Sequence, residues 1–154
     1  MPEELLQFLV EAKKQTYALG DQAKTVKEKD GSTSLTFELG DYLYHDNYFG
    51  GEPFGGREIV FYRHKPLMIM VYYGRVLNSR FNVQEIYSFL QKSLSKVPFD
   101  YPYRGPKEFM SGGYLYKNNY QGEIDNFSGL EAIYKDKVKV YEASYLGGLV
   151  DQQR

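Results

Sequence analysis

The residues of this chain that could do chemistry are concentrated in one tyrosine-rich segment. His45 and Asp46 are neighbours there, and Glu58 follows a short distance along the chain. A histidine and carboxylates in reach of one substrate could perform general acid-base chemistry. Neighbouring residues of a strand point to opposite faces, however, so His45 and Asp46 cannot simply act as a pair. We therefore expect an exposed histidine and a non-catalytic binding domain, with a hydrolase or isomerase using Glu58, His45, Asp46 and Tyr44 as the alternative.

The composition argues against several other kinds of site. The chain has no cysteine and two histidines, which excludes a cysteine nucleophile and disfavours a transition-metal site. The serine-nucleophile pattern Gly-x-Ser-x-Gly does not occur. The glycine-rich stretch 50–56 lacks the helix start and lysine that follow a phosphate-binding loop. We therefore expect no catalytic residue, no metal and no cofactor.

The tyrosine-rich segment occurs twice in the chain. Residues 37–50 match residues 109–122 at a constant spacing of 72, and after one inserted residue the match continues from 54–74 to 127–147. Self-similarity at a fixed spacing indicates an internal duplication. A duplicated unit predicts a pseudo-two-fold fold.

The two copies differ at two neighbouring positions, as expected if only one copy carries a functional site. His45 and Asp46 of the first copy are replaced by Lys117 and Asn118 in the second. This pattern favours a function that only the first copy carries.

Tyrosines at alternate positions form the most distinctive surface of the repeat. They are Tyr42, Tyr44, Tyr48, Tyr114, Tyr116 and Tyr120. A period of two places the three tyrosines of each strand on one face. They could be packed rings with hydroxyls at water, or line an aromatic cleft for a flat or polar-aromatic ligand. We predict a ligand-binding site made of Tyr44, His45, Asp46, Tyr48, Arg57, Glu58, Tyr116 and Tyr120.

Other recurring residues are interpreted as structural. Glu58 recurs as Glu131, and we expect both carboxylates to bind the amides of a neighbouring loop, although acid-base work by the pair stays an alternative. Two glycines also recur, and positive φ angles are expected for them; they are Gly50 and Gly56, matched by Gly122 and Gly129.

The segment Tyr101–Pro106 has no counterpart in the first copy. Its prolines make it stiff and extended, and Arg104 within it could clamp a carboxylate or cover a sheet edge. We expect the edge-covering role.

Hydrophobic periodicity predicts a helix followed by strands in each copy. Helical stripes predict helices at about Pro2 to Tyr17 and Val83 to Lys96, the second with Asn82 and Glu85 resembling a capping box. Alternation predicts strands at residues 24–29, 34–39, 42–48, 58–62, 114–120 and 131–134. Leu67 to Tyr73 is apolar at every position, which predicts a central strand covered on both faces, whereas Lys137 to Tyr145 is typical of an edge or half-exposed strand.

These elements predict an α+β fold with two helices packed on antiparallel β-sheet. The unit of helix plus antiparallel meander is duplicated, with pseudo-two-fold symmetry. All 154 residues should form a single domain, with repeat unit 1 at about residues 2–76 and repeat unit 2 at about 82–149.

Charge and hydropathy limit the partners. The net charge is −1 with both signs interspersed, so we expect no direct nucleic acid binding. No apolar run is long enough for a membrane span and the start lacks the basic residues of a signal peptide, which predicts a cytoplasmic protein without a membrane partner. The expected partner is an unknown small molecule or peptide, and a homodimer, which would show a flat apolar patch, is the other alternative.

Three phrases in the chain carry a family resemblance. They are Tyr42–Glu52, Tyr72–Val76 and Pro102–Pro106. The chain resembles a bacterial domain family of unknown function that occurs alone or C-terminal to XRE-type helix-turn-helix modules of transcriptional regulators. The resemblance implies a sensor or interaction domain linked to transcriptional regulation, and it transfers no catalytic residue.

Overall fold

A computed structural model describes residues 2–77 and 80–152. These ranges contain two helices, a short 3-10 helix and nine strands. The helices are α1 (Pro2–Gln15) and α2 (Val83–Leu94), and the 3-10 helix spans Tyr17–Gln22. The strands are β1 (Val26–Lys27), β2 (Thr33–Leu39), β3 (Tyr42–Gly50), β4 (Phe54–Tyr62), β5 (Lys65–Val76), β6 (Glu108–Ser111), β7 (Tyr114–Glu123), β8 (Asn126–Lys135) and β9 (Val138–Leu149).

The nine strands form one antiparallel sheet. Its order is β1-β2-β3-β4-β5-β9-β8-β7-β6, so two meanders meet where β5 pairs with β9. Hairpin turns join consecutive strands within each meander. Arg63 and His64 between β4 and β5 have φ angles of 49° and 68°, and Asp136 and Lys137 between β8 and β9 have 50° and 67°. The α+β class and the antiparallel sheet predicted from the sequence are confirmed.

Both helices pack on the same side of the sheet, which we call its inner face. In α1 the residues Leu5, Phe8, Leu9 and Ala12 are buried, and in α2 Ile86, Phe89 and Leu90 are. Asn82 caps α2 by accepting a hydrogen bond from the backbone amide of Glu85, at 3.0 Å. Both predicted helices exist, with α1 ending two residues and α2 also ending two residues before the predicted positions. No helix in the described ranges is long and apolar enough to cross a membrane.

The predicted central strand is central in the sheet, but the prediction that both of its faces are covered is wrong. β5 lies in the middle of the sheet, but Val71 and Tyr73 on its outer face are 42% and 56% exposed. The counterpart strand β9 is equally central, and its Val140 is fully buried. Apolar residues on both faces of a strand do not themselves provide a second covering layer, and no element of the described ranges packs over the outer face at Val71 and Tyr73.

The one-sided burial of β5 predicts different stability effects for neighbouring residues of the strand. Met70 is fully buried on the inner face, whereas its neighbour Val71 is exposed. We predict that Met70→Ala lowers the free energy of unfolding by about 2–5 kcal/mol, because it leaves a cavity in the core. Val71→Ala should cost less than about 1 kcal/mol. Urea denaturation measures both losses, and equal values would contradict the one-sided burial of β5.

Candidate functional site

A buried ion pair joins α1 to the inner face of the sheet. Lys13 Nζ lies 2.5 Å from Glu58 Oε1, and both side chains are almost completely buried. Lys13 Nζ also donates a hydrogen bond to the carbonyl oxygen of Tyr103, at 2.6 Å. Burial lowers the pKa of Lys13, and the Glu58 charge opposes that shift. One ammonium group thus fixes a helix, a strand and the segment 101–106 against each other.

A second carboxylate lies beside this ion pair. Asp46 of β3 is the cross-strand partner of Glu58 of β4, and Asp46 is fully buried. The Tyr72 hydroxyl donates a hydrogen bond to Asp46 Oδ1 at 2.5 Å, whereas Asp46 Oδ2 has no hydrogen-bond partner in the described part of the chain. Burial raises the pKa of Asp46 to about 7, and the Glu58 charge adds to the shift.

The second meander contains a matching centre with a different cation. The guanidinium of Arg104 binds Glu131 through two hydrogen bonds, Nε to Oε2 at 3.1 Å and Nη2 to Oε1 at 2.7 Å. The hydroxyl of Tyr116 also donates to Glu131 Oε2. Burial raises the pKa of Tyr116 well above its usual value, and the Glu131 charge adds to this effect. Both Arg104 and Glu131 are sealed from solvent.

An asparagine takes the place of the second carboxylate here. Asn118 is the cross-strand partner of Glu131, and its Oδ1 accepts a hydrogen bond from the Tyr145 hydroxyl at 2.9 Å. Its Nδ2 donates to the carbonyl oxygen of Gly105 at 2.9 Å. The buried side chain therefore has partners for both its amide atoms, in contrast to Asp46.

Glycines make room for the two tyrosine hydroxyls. A Cβ atom added at Gly56 would lie 2.7 Å from the Tyr72 hydroxyl, and one at Gly129 would lie 2.2 Å from the Tyr145 hydroxyl. The prediction of positive φ is confirmed for Gly50 and Gly122, at 79° and 92°. Gly56 and Gly129 instead allow a close approach, so the φ prediction is wrong for them.

Space between the two centres is small. A cavity of about 10 Å³ is lined by residues that include Lys13, Glu58 and Arg104, and it can hold about one water molecule. The Arg104 guanidinium also lies 5.6 Å from the centre of the Tyr72 ring. The two centres are thus neighbours in the core, and this cavity is too small for an organic substrate.

The structure divides the predicted site residues between two faces. Tyr44, Asp46, Glu58 and Tyr116 are buried together on the inner face. Tyr48 and Tyr120 are half-buried, and the Tyr120 ring stacks on Tyr101 with ring centres 3.5 Å apart. The rings of these tyrosines therefore pack against other residues of the same chain.

His45 and Arg57 lie on the opposite, outer face. His45 Nε2 is 3.3 Å from the Ser34 hydroxyl. Burial lowers the pKa of His45, and the positive charge of Arg57 lowers it further. His45 therefore cannot reach a substrate bound at Asp46 or Glu58, because the sheet separates them.

Two interpretations of individual residues are wrong. Glu58 and Glu131 bind buried cations, where loop amides were expected. Arg104 clamps a carboxylate on the inner face, where an edge-covering role was expected. In each case the binding partner of the residue is far away in the sequence, so local sequence patterns do not identify it.

Lys13 is not among the predicted site residues, although the sequence contains a signal for it. Leu5, Leu9 and Lys13 follow each other at intervals of four residues, which places them on one face of α1. A lysine within an apolar stripe indicates either a break in the stripe or a buried cation with a partner. In this structure Lys13 is a buried cation, and its partner is Glu58.

The fold and this core define a domain with a closed, charge-containing interior and an open outer sheet face. The family model for DUF5680, a domain of unknown function, matches residues 46–150. The chain belongs to this family. No curated protein and no solved structure matches the chain. The matched range includes Asp46, Glu58, Arg104 and Glu131 and leaves out Lys13.

The raised pKa of Asp46 predicts a specific pH dependence. Between its ordinary pKa of 3.8 and about 7, the native state binds more protons than the unfolded state, so the free energy of unfolding falls as pH rises through this window. Asp46→Asn should remove that fall, because asparagine can accept the Tyr72 hydrogen bond without charge, as Asn118 does from Tyr145.

The measurement is urea denaturation of wild type and Asp46→Asn at pH 4 to 8. We expect the variant's advantage to grow with pH and to reach on the order of a few kcal/mol. Asp41→Asn, which changes an exposed carboxylate paired with Arg63, is the control and should show no comparable trend. Parallel stability curves for Asp46→Asn and wild type would contradict the prediction.

The buried position of Glu131 predicts a large effect for its cation. Arg104→Ala should cost about 3–5 kcal/mol of the free energy of unfolding, because an uncompensated charge stays in the core. Arg75→Ala, which breaks the exposed pair with Glu142, should cost less than about 1 kcal/mol. If Arg104→Ala does not fold, the double variant Arg104→Met/Glu131→Gln should fold. If the neutral double variant also fails to fold, the loss of stability in Arg104→Ala does not come from the unpaired charge of Glu131.

Proposed function

We propose that this protein is a non-catalytic interaction domain that forms a homodimer through the outer face of its sheet. A cluster of exposed apolar side chains at the sheet centre carries the proposal. The cluster consists of Val71, Tyr73, Leu130 and Leu146, which are 42%, 56%, 60% and 60% exposed. We call it the outer apolar patch. Contiguous exposed apolar surface of this kind is typical of an interaction site.

Strand pairing makes the patch continuous. Val71 of β5 lies directly opposite Leu146 of β9. Ser144, next but one to Leu146, lies between Tyr73 on one side and Leu130 on the other. Residues two apart on a strand share a face, so the four apolar side chains surround Ser144. The patch therefore draws on both meanders.

The size of the face suits a dimer. Strands β3–β5 and β7–β9 have nine to twelve residues each. Six strands at about 4.8 Å spacing and about 30 Å length present about 860 Å². A standard stable interface buries about 800 Å² per partner. Two sheets packed face to face at about 10 Å would bury the patch of each copy against the other.

Two of the predicted site residues border this patch. Arg57 lies directly opposite Val71, and His45 is close enough to Arg57 for its charge to act on the imidazole. Arg57 Nη1 is buried without a hydrogen-bond partner in residues 2–77 and 80–152. Arg57 therefore places a positively charged side chain at the border of the patch.

The inner face supports a small-molecule site less well. Its tyrosines are covered by the chain's own helices and by the segment 101–106. The hydrolase or isomerase alternative needs His45 on the same side as Asp46 and Glu58, and the sheet separates them. The predicted binding of a ligand by Tyr44, Tyr48, Tyr116 and Tyr120 stays a prediction, and binding there would require α1 or the 101–106 segment to move.

Dimerisation fits a role in transcriptional regulation. Helix-turn-helix proteins read operator half-sites as dimers, so a self-associating domain would set the spacing of two DNA-binding modules. The family resemblance noted in the sequence is the reason for proposing this link. A domain with that role would act in the bacterial cytoplasm.

We also propose that the two meanders arose by duplication and are related by a pseudo-two-fold axis. Tyr72 and Tyr145, which match each other in the repeat, are direct partners across β5 and β9. The pairs Asp46 with Glu58 and Asn118 with Glu131 likewise occupy matching places. These pairings support an axis through the centre of the outer apolar patch.

Sedimentation equilibrium tests the dimer. Wild type should dimerise with a dissociation constant in the micromolar range, and Leu146→Asp should be monomeric with little change in its unfolding midpoint, because the side chain is exposed. Met110→Asp is the matched control, since Met110 is exposed and lies outside the patch. A wild-type monomer at millimolar concentration, or a dimer that survives Leu146→Asp, would overturn the proposal.

A further inference from the structure

We infer that Arg57 of each copy in the proposed dimer binds in a polar pocket on the second meander of the other copy. This inference rests on the proposed dimer and deepens it, because it names the contact that orients the two copies. The pocket lies on the outer face of the sheet and has a volume of about 370 Å³.

The pocket is lined by uncharged side chains at the edge of the outer apolar patch. Leu130 and Leu146 of the patch form part of its wall. Its polar lining consists of Asn119, Gln121, Ser128 and Ser144. Amide and hydroxyl oxygens accept hydrogen bonds, and the bonds are stronger when the donor is charged. The pocket therefore suits a positively charged donor that carries several N–H groups.

Arg57 is a cation of this kind without a partner in its own chain. Its side chain forms no ion pair and no hydrogen bond within residues 2–77 and 80–152, and Nη1 alone among its nitrogens is also buried. Nε and Nη2 are therefore open to solvent and free to donate. Arg75 on the same face differs, because it already pairs with Glu142.

The strand order determines which residues meet when two such sheets pack face to face. A two-fold dimer axis along the strands, between β5 and β9, places β5 on the partner's β9 and β4 on the partner's β8. Residues paired across neighbouring strands form a row, and Arg57, Val71, Leu146 and Ser128 belong to one row. Val71 therefore meets the partner's Leu146, and Arg57 meets the partner's Ser128.

The twist of the sheets preserves this match near the dimer axis. Aligned sheets cross at about 30°, and Arg57 lies about one and a half strand spacings, or about 7 Å, from the axis. A rotation of about 30° moves a residue at that distance by about 4 Å, which is about one residue along a strand. The Arg57 side chain thus stays over the pocket around the partner's Ser128.

The same axis also places large outer side chains on small ones. Tyr73 meets the partner's Ser144, and Leu130 meets the partner's Gly55, since all four belong to the next row. Tyr73 and Leu130 are 56% and 60% exposed in the single chain. Side chains that project into gaps of the partner give the close packing of a stable interface.

A dimer axis across the strands fits the charges less well. An axis through the row of Arg57 would place Arg57 on the partner's Arg57, where like charges repel each other. An axis between this row and the next would place Arg57 on the partner's Gly55 and Arg75 on the partner's Ile69, which offers neither cation an acceptor side chain. The axis along the strands instead places Arg75 on the partner's Glu142.

Sedimentation equilibrium of charge variants tests this contact. Arg57→Asp should weaken the dimer about tenfold or more, because the charged donor is lost. Ser128→Arg should weaken it too, because a second cation then faces Arg57 of the partner. Arg63→Asp is the matched control, since Arg63 pairs with Asp41 in the exposed β4–β5 turn, and it should leave the dissociation constant unchanged.

The double variant Arg57→Asp/Ser128→Arg should dimerise to within about threefold of wild type, because the exchanged charges attract each other across the interface. Positions 57 and 128 are three strand spacings, or about 14 Å, apart in one chain, so an ion pair within one copy cannot explain this recovery. Thermal melting checks that each variant folds. If Arg57→Asp does not fold, Arg57→Gln takes its place and should weaken the dimer in the same direction.

The outcomes separate this inference from the proposed dimer. A wild-type dimer that Arg57→Asp leaves unchanged, or a double variant that dimerises no better than Arg57→Asp, would overturn the inference and leave the dimer standing. A dimer that Ser128→Arg leaves unchanged would also overturn it, because the pocket would then lie outside the interface, open to a small polar molecule. A wild-type monomer at millimolar concentration would overturn both proposals.

Discussion

Burying a glutamate under a helix is costly unless a cation goes with it, and this protein buries two. Glu58 and Glu131 each lie on the inner face of the sheet, and neither finds its cation within the sheet. Lys13 comes from α1 and Arg104 from the 101–106 segment. Each glutamate therefore determines which element covers its meander. The hydrophobic stripe of α1 would permit sliding along the sheet, but the 2.5 Å contact of Lys13 with Glu58 permits one position.

The two centres differ in their charge, and the difference has physical consequences. Around Glu131 the charges balance, because Arg104 faces one carboxylate and Asn118 is neutral. Around Glu58 there are two carboxylates, and Asp46 Oδ2 lacks a hydrogen-bond partner among the described residues. The protein accommodates this by holding the Asp46 proton up to about pH 7. Ionised Asp46 is costly to bury, so this centre lowers the free energy of unfolding at neutral pH. A neutral residue at the same position would cost less stability.

The helices, strands and fold class could be predicted from the sequence because they depend on local patterns. The stripe of Leu5, Phe8 and Leu9 indicates a one-sided helix, and tyrosine alternation indicates strands. The failures concern contacts between distant residues. Neither the partner of Arg104 nor that of Glu58 follows from local spacing. The exposure of Val71 and Tyr73 could not be predicted either, since an apolar residue on a second strand face is compatible with a covering layer and equally with an interface.

The closed interior is also what directs function to the outside of the molecule. Once the tyrosine-bearing face is filled by α1, α2 and the 101–106 segment, the surfaces left for recognition are the outer sheet face and the grooves at the helix edges. The outer apolar patch takes residues from both meanders and suits a symmetric partner. A fold in which both meanders contribute to one exposed face can therefore self-associate through that face while its charged interior stays closed.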